Sequence, residues 1–337
     1  MNIRAPRKKT KGKKQRKRKR TVYRKRQVVK KAPQLPVDAI PAIADTAMDY
    51  ERVQPESHPQ ENFQAGYDKG YQDGKYAGGE QMIDELLPPH MIFPDLSLKQ
   101  IIATGVSMYH EHAVSLLIAE QVRDHILHAL DERKPLSIVR LGDGELLTLA
   151  QETVMPVDVV RREGKFLEYA GVKVPDLDIR NRLAEAVAKA DIVGIPRTRM
   201  PNYQLLVSPV FRAYGISFQE RQWTDSLINY SLCQSGCLLP VLRNRKVLLI
   251  GNMAEPLAAV LAQHGISLAG MVAPVNGARD ADRVIMIARQ YDFDIALVSA
   301  GIAAVIITEE LARATGKVAV DFGHMANALV KGDAVIH

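Results

Sequence analysis

The stretch Leu136-Ser-Ile-Val-Arg-Leu-Gly-Asp-Gly-Glu145 decides the fold class of this chain. Its first half is apolar and rich in β-branched residues, a pattern typical of a buried strand. Gly142 and Gly144 then interrupt the run and predict a tight turn. Two carboxylates, Asp143 and Glu145, therefore follow the end of a strand, which is where open α/β sheets bind their ligands.

Local chemistry allows two interpretations of this carboxylate pair. Alternate positions of a turning backbone can aim Asp143 and Glu145 at one divalent cation, and oxygen ligands suit Mg²⁺ or Mn²⁺. Alternatively, Asp143 caps a helix that begins near Leu146, as an Asp-Gly pair at a turn often does. The residues of the turn alone leave both interpretations open.

Strand-like and helix-like segments alternate through the rest of the chain. The predicted strands are 191–196, 246–251, 266–272, 293–299 and 317–320, and the predicted helices are 114–130, 177–190, 204–214, 224–232, 254–263, 281–290 and 302–314. Alternation at this spacing predicts parallel strands joined by right-handed helical crossovers. We therefore expect residues 98–337 to form an α/β domain, a Rossmann-like and mostly parallel sheet flanked by helices.

Several predicted strands end in small or polar residues that are candidates for ligand contact. Arg197 and Arg199 follow the second strand, where two guanidinium groups suit a diphosphate, although a surface loop is the alternative. Asn252, Gly301 and His324 follow three later strands. His324 has the chemistry to ligate a metal, contact a phosphate or cap a helix. The sequence has neither a Gly-x-Gly-x-x-Gly fingerprint nor a P-loop, which argues against a dinucleotide cofactor and a P-loop ATPase.

The segment Arg140-Leu-Gly-Asp-Gly-Glu145 resembles the signature of the GT-D fold glycosyltransferases, in which Arg-aromatic-Gly-Asp-Gly-Glu carries an Asp-x-Glu pair. Leu141 stands where an aromatic residue is more usual, a change that leaves the carboxylates in place. Later segments are similar in the same order: 183–196, 224–229, 247–251, 299–301 and 320–324. The resemblance covers about residues 110–330.

This resemblance implies a GT-D-type fold and transfer of a sugar from a nucleoside diphosphate sugar to an acceptor hydroxyl. We expect the donor to be a UDP-sugar and the acceptor to be a glycan or protein. The resemblance also implies that Asp143 and Glu145 are catalytic and hold Mn²⁺ or Mg²⁺. The residues expected to contact the nucleotide sugar are Arg140, Gly142, Gly144, Arg197, Arg199, Asn252, Gly301 and His324.

Charge is concentrated in residues 1–31, which contain 17 Lys or Arg and no acidic residue. The other 306 residues carry 28 basic against 38 acidic side chains, so the body of the chain is mildly acidic. A segment this basic and this poor in apolar residues cannot form a core, and we expect it to be disordered. It is suited to bind an anionic polymer such as nucleic acid, or an acidic membrane surface. A solubilising arm is the alternative.

Residues 32–97 are expected to be a linker that contains one short repeat. Within 66–79, glycine recurs at 66, 70, 74 and 78, next to Tyr67 and Tyr71. On a helix this spacing would line one face with glycine and allow a second helix to approach closely. The repeat therefore predicts either a self-associating helix or a flexible Gly-rich linker.

The sequence has no apolar stretch suited to a secretory signal or a transmembrane helix, so we expect a cytoplasmic protein with peripheral association through its basic tail. Cys233 and Cys237 lack further metal ligands nearby and are expected to be reduced thiols. Two other function classes stay open. One is a non-catalytic scaffold that anchors partners, and the other is a nucleic-acid-binding protein that acts through residues 1–31.

Deleting residues 1–31 should leave the melting temperature of the body unchanged, because the tail has no apolar surface to bury. Binding to a nucleic acid or to acidic vesicles should be lost at the same time and should fall steeply with salt in the full chain. Thermal unfolding and a binding titration of both proteins measure this. A large loss of cooperative unfolding on deletion would contradict the proposed boundary.

Overall fold

The computed structural model describes residues 59–337, with side-chain environments from residue 63 onward. The chain divides into two compact units, Met1–Ile92 and Phe93–His337. The basic tail and the first part of the expected linker, residues 1–58, lie outside the described residues. Within the described part, no helix combines the length and the apolar character needed to cross a membrane.

The first unit is helical from Pro59 to Leu86. Helix α1 spans Pro59–Lys75, a π-helical turn follows at Tyr76–Glu80, and α2 spans Gln81–Leu86. The Tyr76 hydroxyl donates to the Asp84 carboxylate at 2.8 Å and so connects the π-helical turn to α2. The glycine repeat is therefore helical, which is the condition that the self-association hypothesis requires.

The second unit contains one seven-stranded sheet. Its strands are β1 Leu136–Arg140, β2 Ile192–Ile195, β3 Gln222–Asp225, β4 Lys246–Gly251, β5 Ser267–Val272, β6 Ile295–Ser299 and β7 Val318–Asp321. The strand order is β3-β2-β1-β7-β6-β4-β5, and every neighbouring pair is parallel. The predicted Rossmann-like sheet is therefore confirmed, with β1 and β7 near its centre.

The second unit begins with α3 Leu98–Met108, which has no buried residue. The later helices cover both faces of the sheet. They are α4 Ala119–Asp131, α5 Asp143–Ala150, α6 Val157–Glu163, α7 Leu177–Lys189, α8 Gln204–Ala213, α9 Ile228–Gln234, α10 Leu238–Leu242, α11 Ala254–Gln263, α12 Ala281–Ala288, α13 Ala303–Thr315 and α14 Met325–Lys331. Successive strand residues join opposite cores: Val139 packs with α5, α7 and α13, and Ile138 packs with α4, α9 and α14. This alternation explains why the central strands are apolar throughout.

Two sequence predictions of secondary structure are wrong near residues 114–118 and 222–232. The predicted helix 224–232 begins only at Ile228, because residues Gln222–Asp225 pair with β2 as strand β3. The predicted helix 114–130 begins at Ala119, because the Leu117 amide donates instead to the Trp223 carbonyl at 2.7 Å. Tertiary pairing therefore overrides the local helical pattern in both places.

The chain leaves β1 and β7 toward opposite faces of the sheet. After β1 it enters α5 on the face covered by α7 and α13, and after β7 it enters α14 on the other face. A crevice forms at the carboxyl ends of an open α/β sheet where neighbouring connections diverge in this way. The Asp-Gly-Glu segment follows β1 and therefore lies at this point.

Two loops of the second unit touch through their glycines. Gly171 and Gly277 both have a positive φ, of 93° and 84°. A Cβ on Gly277 would lie 2.7 Å from the Cα and carbonyl oxygen of Gly171, and the Ala278 amide donates to that oxygen at 3.1 Å. The loop before α7 and the loop after β5 are thereby held against each other.

Gly171→Ala should destabilise the protein by about 1–3 kcal/mol more than Gly265→Ala. Gly171 and Gly265 both have a positive φ, so alanine costs conformational energy at either position. Of the two, only a side chain at Gly171 would collide with another part of the backbone. Urea unfolding of the two variants measures the difference. An equal loss of unfolding free energy in the two variants would mean that the loop before α7 and the loop after β5 can move apart without an energetic cost.

Candidate functional site

The centre of the candidate site is the first turn of α5. Gly142 occupies the N-cap position and Asp143 begins the helix, three residues earlier than the predicted start near Leu146. Asp143 and Glu145 are consequently helical, not alternate residues of an extended turn. The Glu145 Oε2 accepts from the Gly142 amide at 2.7 Å, so Glu145, and not Asp143, satisfies the N-cap amide.

Asp143 is presented toward the segment that follows β2. Its Oδ1 accepts from the Gly144 amide at 2.9 Å, and its Oδ2 accepts from the Tyr203 hydroxyl at 3.2 Å. Partial burial is the main cause that raises the pKa of Tyr203, and the charge of Asp143 and its hydrogen bond raise this pKa as well. The Tyr203 hydroxyl therefore keeps its proton and stays a donor at neutral pH. The sequence analysis did not identify Tyr203, although it directly follows the polar segment 197–202.

Glu145 belongs to a group of charged side chains at the ends of β1 and β7. The pKa of Glu145 is raised to about 7, mainly because the side chain is buried. The charge of the neighbouring Asp321 carboxylate also raises this pKa, and its effect is larger than the lowering caused by the charge of Arg140. Burial also raises the pKa of Asp321, against the opposing effect of Arg140. The two carboxylates therefore compete for one positive charge, so a proton or another cation is favoured beside them.

The Arg140 guanidinium is held by three protein acceptors. Nε and one terminal nitrogen donate to the Asp321 carbonyl and carboxylate, each at 2.9 Å, and the other terminal nitrogen donates to the Ser226 carbonyl at 2.9 Å. The exposed fraction of the side chain is 15% for Arg140 and 4% for Asp321. Arg140 therefore joins the ends of β1 and β7 to the loop after β3.

Glycine makes the space for this arginine. A Cβ on Gly323 would overlap the Arg140 guanidinium, and one on Gly194 would lie 3.2 Å from the Arg140 Cγ. The sequence analysis gave none of these three residues a role in the site. Asp321 and Gly323 belong to residues 321–324, which follow the last predicted strand, whereas Gly194 lies inside the predicted strand 191–196.

The two other predicted arginines are far more accessible. The exposed fraction of the Arg197 side chain is 74%, and its Nε lies 4.0 Å from an Asp225 oxygen. Arg199 is exposed and donates to the Gln204 amide oxygen at 3.0 Å. Both guanidinium groups lie in the segment after β2 that also carries Tyr203, so the fold places them at the same edge of the sheet as Asp143.

The remaining predicted contacts lie at the ends of later strands. The Asn252 side chain accepts from the Val275 amide at 2.8 Å and donates to the Val275 carbonyl at 3.3 Å, so it supports the loop after β5. Gly301 follows β6 with a φ of 54°. His324 is exposed at the start of α14 after β7. These three positions share the carboxyl edge of the sheet with Asp143.

Residues 164–171, here called the strap, connect the first turn of α5 with two other strand ends. A Cβ on Gly144 would lie 3.4 Å from the Phe166 ring, and one on Gly301 would lie 3.4 Å from the Ala170 carbonyl. Gly171 contacts Gly277 at the far end. Tyr169 is almost fully exposed on the strap. Sequence periodicity gave no signal for this segment, because it has no regular secondary structure.

The chemistry of this edge suits an anionic ligand together with a cation. The helix dipole gives the start of α5 a partial positive charge, whereas Asp143 and Glu145 supply oxygen ligands of the kind that Mg²⁺ and Mn²⁺ prefer. Among residues 59–337 no cluster of three or more His, Cys, Asp or Glu side chains is arranged to hold a metal.

Comparison with solved structures finds similar chains at low sequence identity. A new glycosyltransferase of the domain of unknown function 1792 from Streptococcus sanguinis is 17% identical, with a TM-score of 0.46, over 66% of this chain and 86% of that chain. A structure described as this highly conserved domain with a distinct glycosyltransferase fold is 16% identical, with a TM-score of 0.43, over 68% and 86%. No curated protein matches the sequence.

A family comparison covers most of the second unit. Residues 117–329 match the GT-D fold-like domain, and this range runs from the segment before α4 into α14. It contains the whole sheet, the first turn of α5, the strap and the Arg140–Asp321 pair. The chain therefore belongs to the GT-D-like family.

Proposed function

We propose that this protein is a glycosyltransferase that moves a sugar from a UDP-sugar to an acceptor hydroxyl with the help of Mn²⁺ or Mg²⁺. Membership of the GT-D-like family supports glycosyltransferase activity. The observation that carries the proposal is the position of Asp143. It is a partly exposed carboxylate on the first residue of α5, at the carboxyl end of a central strand, and Tyr203 orients it.

The donor set fits a hard divalent cation. Asp143 and Glu145 would hold the ion, since Mg²⁺ is usually bound through one or two carboxylates together with substrate phosphates and water. Asp143 accepts from the Gly144 amide and from Tyr203, Glu145 accepts from the Gly142 amide, and each carboxylate retains lone pairs for a ligand. When bound, the cation would neutralise negative charge on the departing diphosphate.

Other residues of the site bind and orient the donor in this proposal. The positive end of the α5 helix dipole and the exposed guanidinium groups of Arg197 and Arg199 attract the diphosphate. Asn252 and Gly301 shape the opposite side of the crevice, and His324 lies at its rim. Arg140 acts as a positioning residue because it fixes the end of β1 through Asp321.

Asp143→Asn should remove most of the metal-dependent binding of UDP while leaving the fold intact. The asparagine oxygen still accepts from the Gly144 amide, and its NH2 group can donate to the Tyr203 hydroxyl oxygen, but asparagine lacks the charge that holds a cation. Calorimetric titration of UDP, with and without Mn²⁺, measures the effect. We expect about tenfold or more loss of affinity in the presence of metal.

Asp178→Asn is the matched control for this experiment. Asp178 is an exposed carboxylate in the first turn of α7, so its loss changes charge at a helix start away from β1. We expect this variant to bind UDP as the unmodified protein does. If the unmodified protein bound no nucleotide under any metal condition, the glycosyltransferase proposal would fail and a non-catalytic scaffold would become the better hypothesis.

Glu145→Gln should change the pH dependence of stability. The folded pKa of about 7 lies above the ordinary value of 4.5, so the folded protein retains a proton that the unfolded chain loses. The stability that this proton supplies is fully present below pH 4.5 and is lost as the pH rises through about 7. Glutamine still accepts from the Gly142 amide and has no charge to bury.

We therefore expect the variant and the unmodified protein to melt at similar temperatures near pH 4.5, and the variant to melt about 2–4 °C higher at alkaline pH. Thermal unfolding across this pH range, in a buffer that contains a chelator, is the measurement. Glu120→Gln, on the exposed first turn of α4, should leave the profile unchanged. Parallel profiles for Glu145→Gln and the unmodified protein would show that Glu145 is ionised in the folded state throughout.

A further inference from the structure

One face of α1 carries aromatic side chains that nothing in the described structure covers. Phe63, Tyr67 and Tyr71 are exposed by 74%, 61% and 60%. Residues four apart lie almost above one another on an α-helix, so the three rings form one continuous strip. An exposed aromatic strip of this kind is typical of a helix that packs against a partner.

Glycines lie beside these rings and leave gaps. A Cβ at Gly66, Gly70, Gly74 or Gly78 would meet nothing within 4 Å. Each glycine inside a helix costs about 1 kcal/mol relative to alanine, so the spacing is unfavourable for an isolated helix. The face of α1 therefore combines a ridge of rings with a row of side-chain-sized gaps.

We propose that α1 pairs with α1 of a second copy of this chain in an antiparallel arrangement in which every ring faces a gap. In one register Tyr71 lies level with Gly70 of the second copy, Tyr67 with its Gly74, and Phe63 with the π-helical turn that carries its Gly78. Each helix supplies both rings and gaps, so the same contacts occur twice around a twofold axis. Such an interface is closed and produces a dimer.

The charges beside the strip agree with this register. Asp68 and Lys75 lie seven residues apart, on one flank of the strip. Lys75 lies two residues from the level of Asp68 of the second copy. In an antiparallel pair like flanks meet, so each Lys75 approaches an Asp68. Exposed ion pairs of this kind select the register more than they add affinity.

The charge of α1 also distinguishes a protein partner from a lipid surface. The helix contains Lys69 and Lys75 against Glu61, Asp68 and Asp73, so its net charge is slightly negative. Helices that lie on anionic membranes are rich in basic residues on their polar face. The aromatic face of α1 is therefore matched by its own copy better than by an acidic bilayer.

Sedimentation velocity of the full chain over a range of concentrations tests the dimer. We expect a reversible monomer–dimer equilibrium, and Gly70→Leu should weaken it about tenfold or more because leucine fills the gap opposite Tyr71. Leucine favours a helix more than glycine, so circular dichroism should show that the helix is retained. Ala65→Leu, a similar enlargement on the opposite face of α1, should leave the equilibrium unchanged.

Charge reversal tests the register independently of the gaps. Lys75→Glu and Asp68→Lys should each weaken the dimer, and the double variant should restore it because the two charges exchange places. A chain that stayed monomeric at every concentration would overturn the proposal. So would a dimer unaffected by Gly70→Leu, two charge variants that did not rescue each other, or a monomer that bound neutral phosphatidylcholine vesicles through α1.

Discussion

The Arg140 guanidinium is the constraint on which the site depends. It joins β1 to β7 by donating to the backbone carbonyl and to the carboxylate of Asp321, and it reaches the loop after β3 by donating to the Ser226 carbonyl. Both partners of the ion pair are largely buried, and breaking such a pair by removing one partner generally costs about 3–5 kcal/mol. Because this pair fixes where β1 ends, it also fixes where α5 begins and where Asp143 is presented.

Much of the fold could be predicted from the sequence because the central strands are buried on both faces. Such strands contain continuous apolar runs, as at Lys246–Gly251, and glycine or polar residues mark their ends. Strand β3 has only four residues, with polar residues at both ends, and its buried Trp223 and Thr224 gain their environment from β2. A pattern this short does not distinguish a strand from a helix.

The site was predictable only in outline. The position of Asp143 and Glu145 after a strand follows from local sequence, but the direction of each side chain depends on partners elsewhere. Glu145 turns back to the Gly142 amide, and Asp143 meets Tyr203 from a separate loop. The influence of Asp321 on Glu145 depends on β1 and β7 being neighbours, which no local pattern encodes.

The strap contains residues that are fixed by packing and one residue that is exposed. A side chain on Gly164 would collide with Leu167, and one on Gly171 would collide with Gly277, so both ends are fixed by packing. Between them Tyr169 is 97% exposed and contributes nothing to the core. Evolution can therefore exchange the exposed Tyr169 beside the crevice without disturbing the fold, whereas the buried Leu167 and the two glycines are held in place by packing.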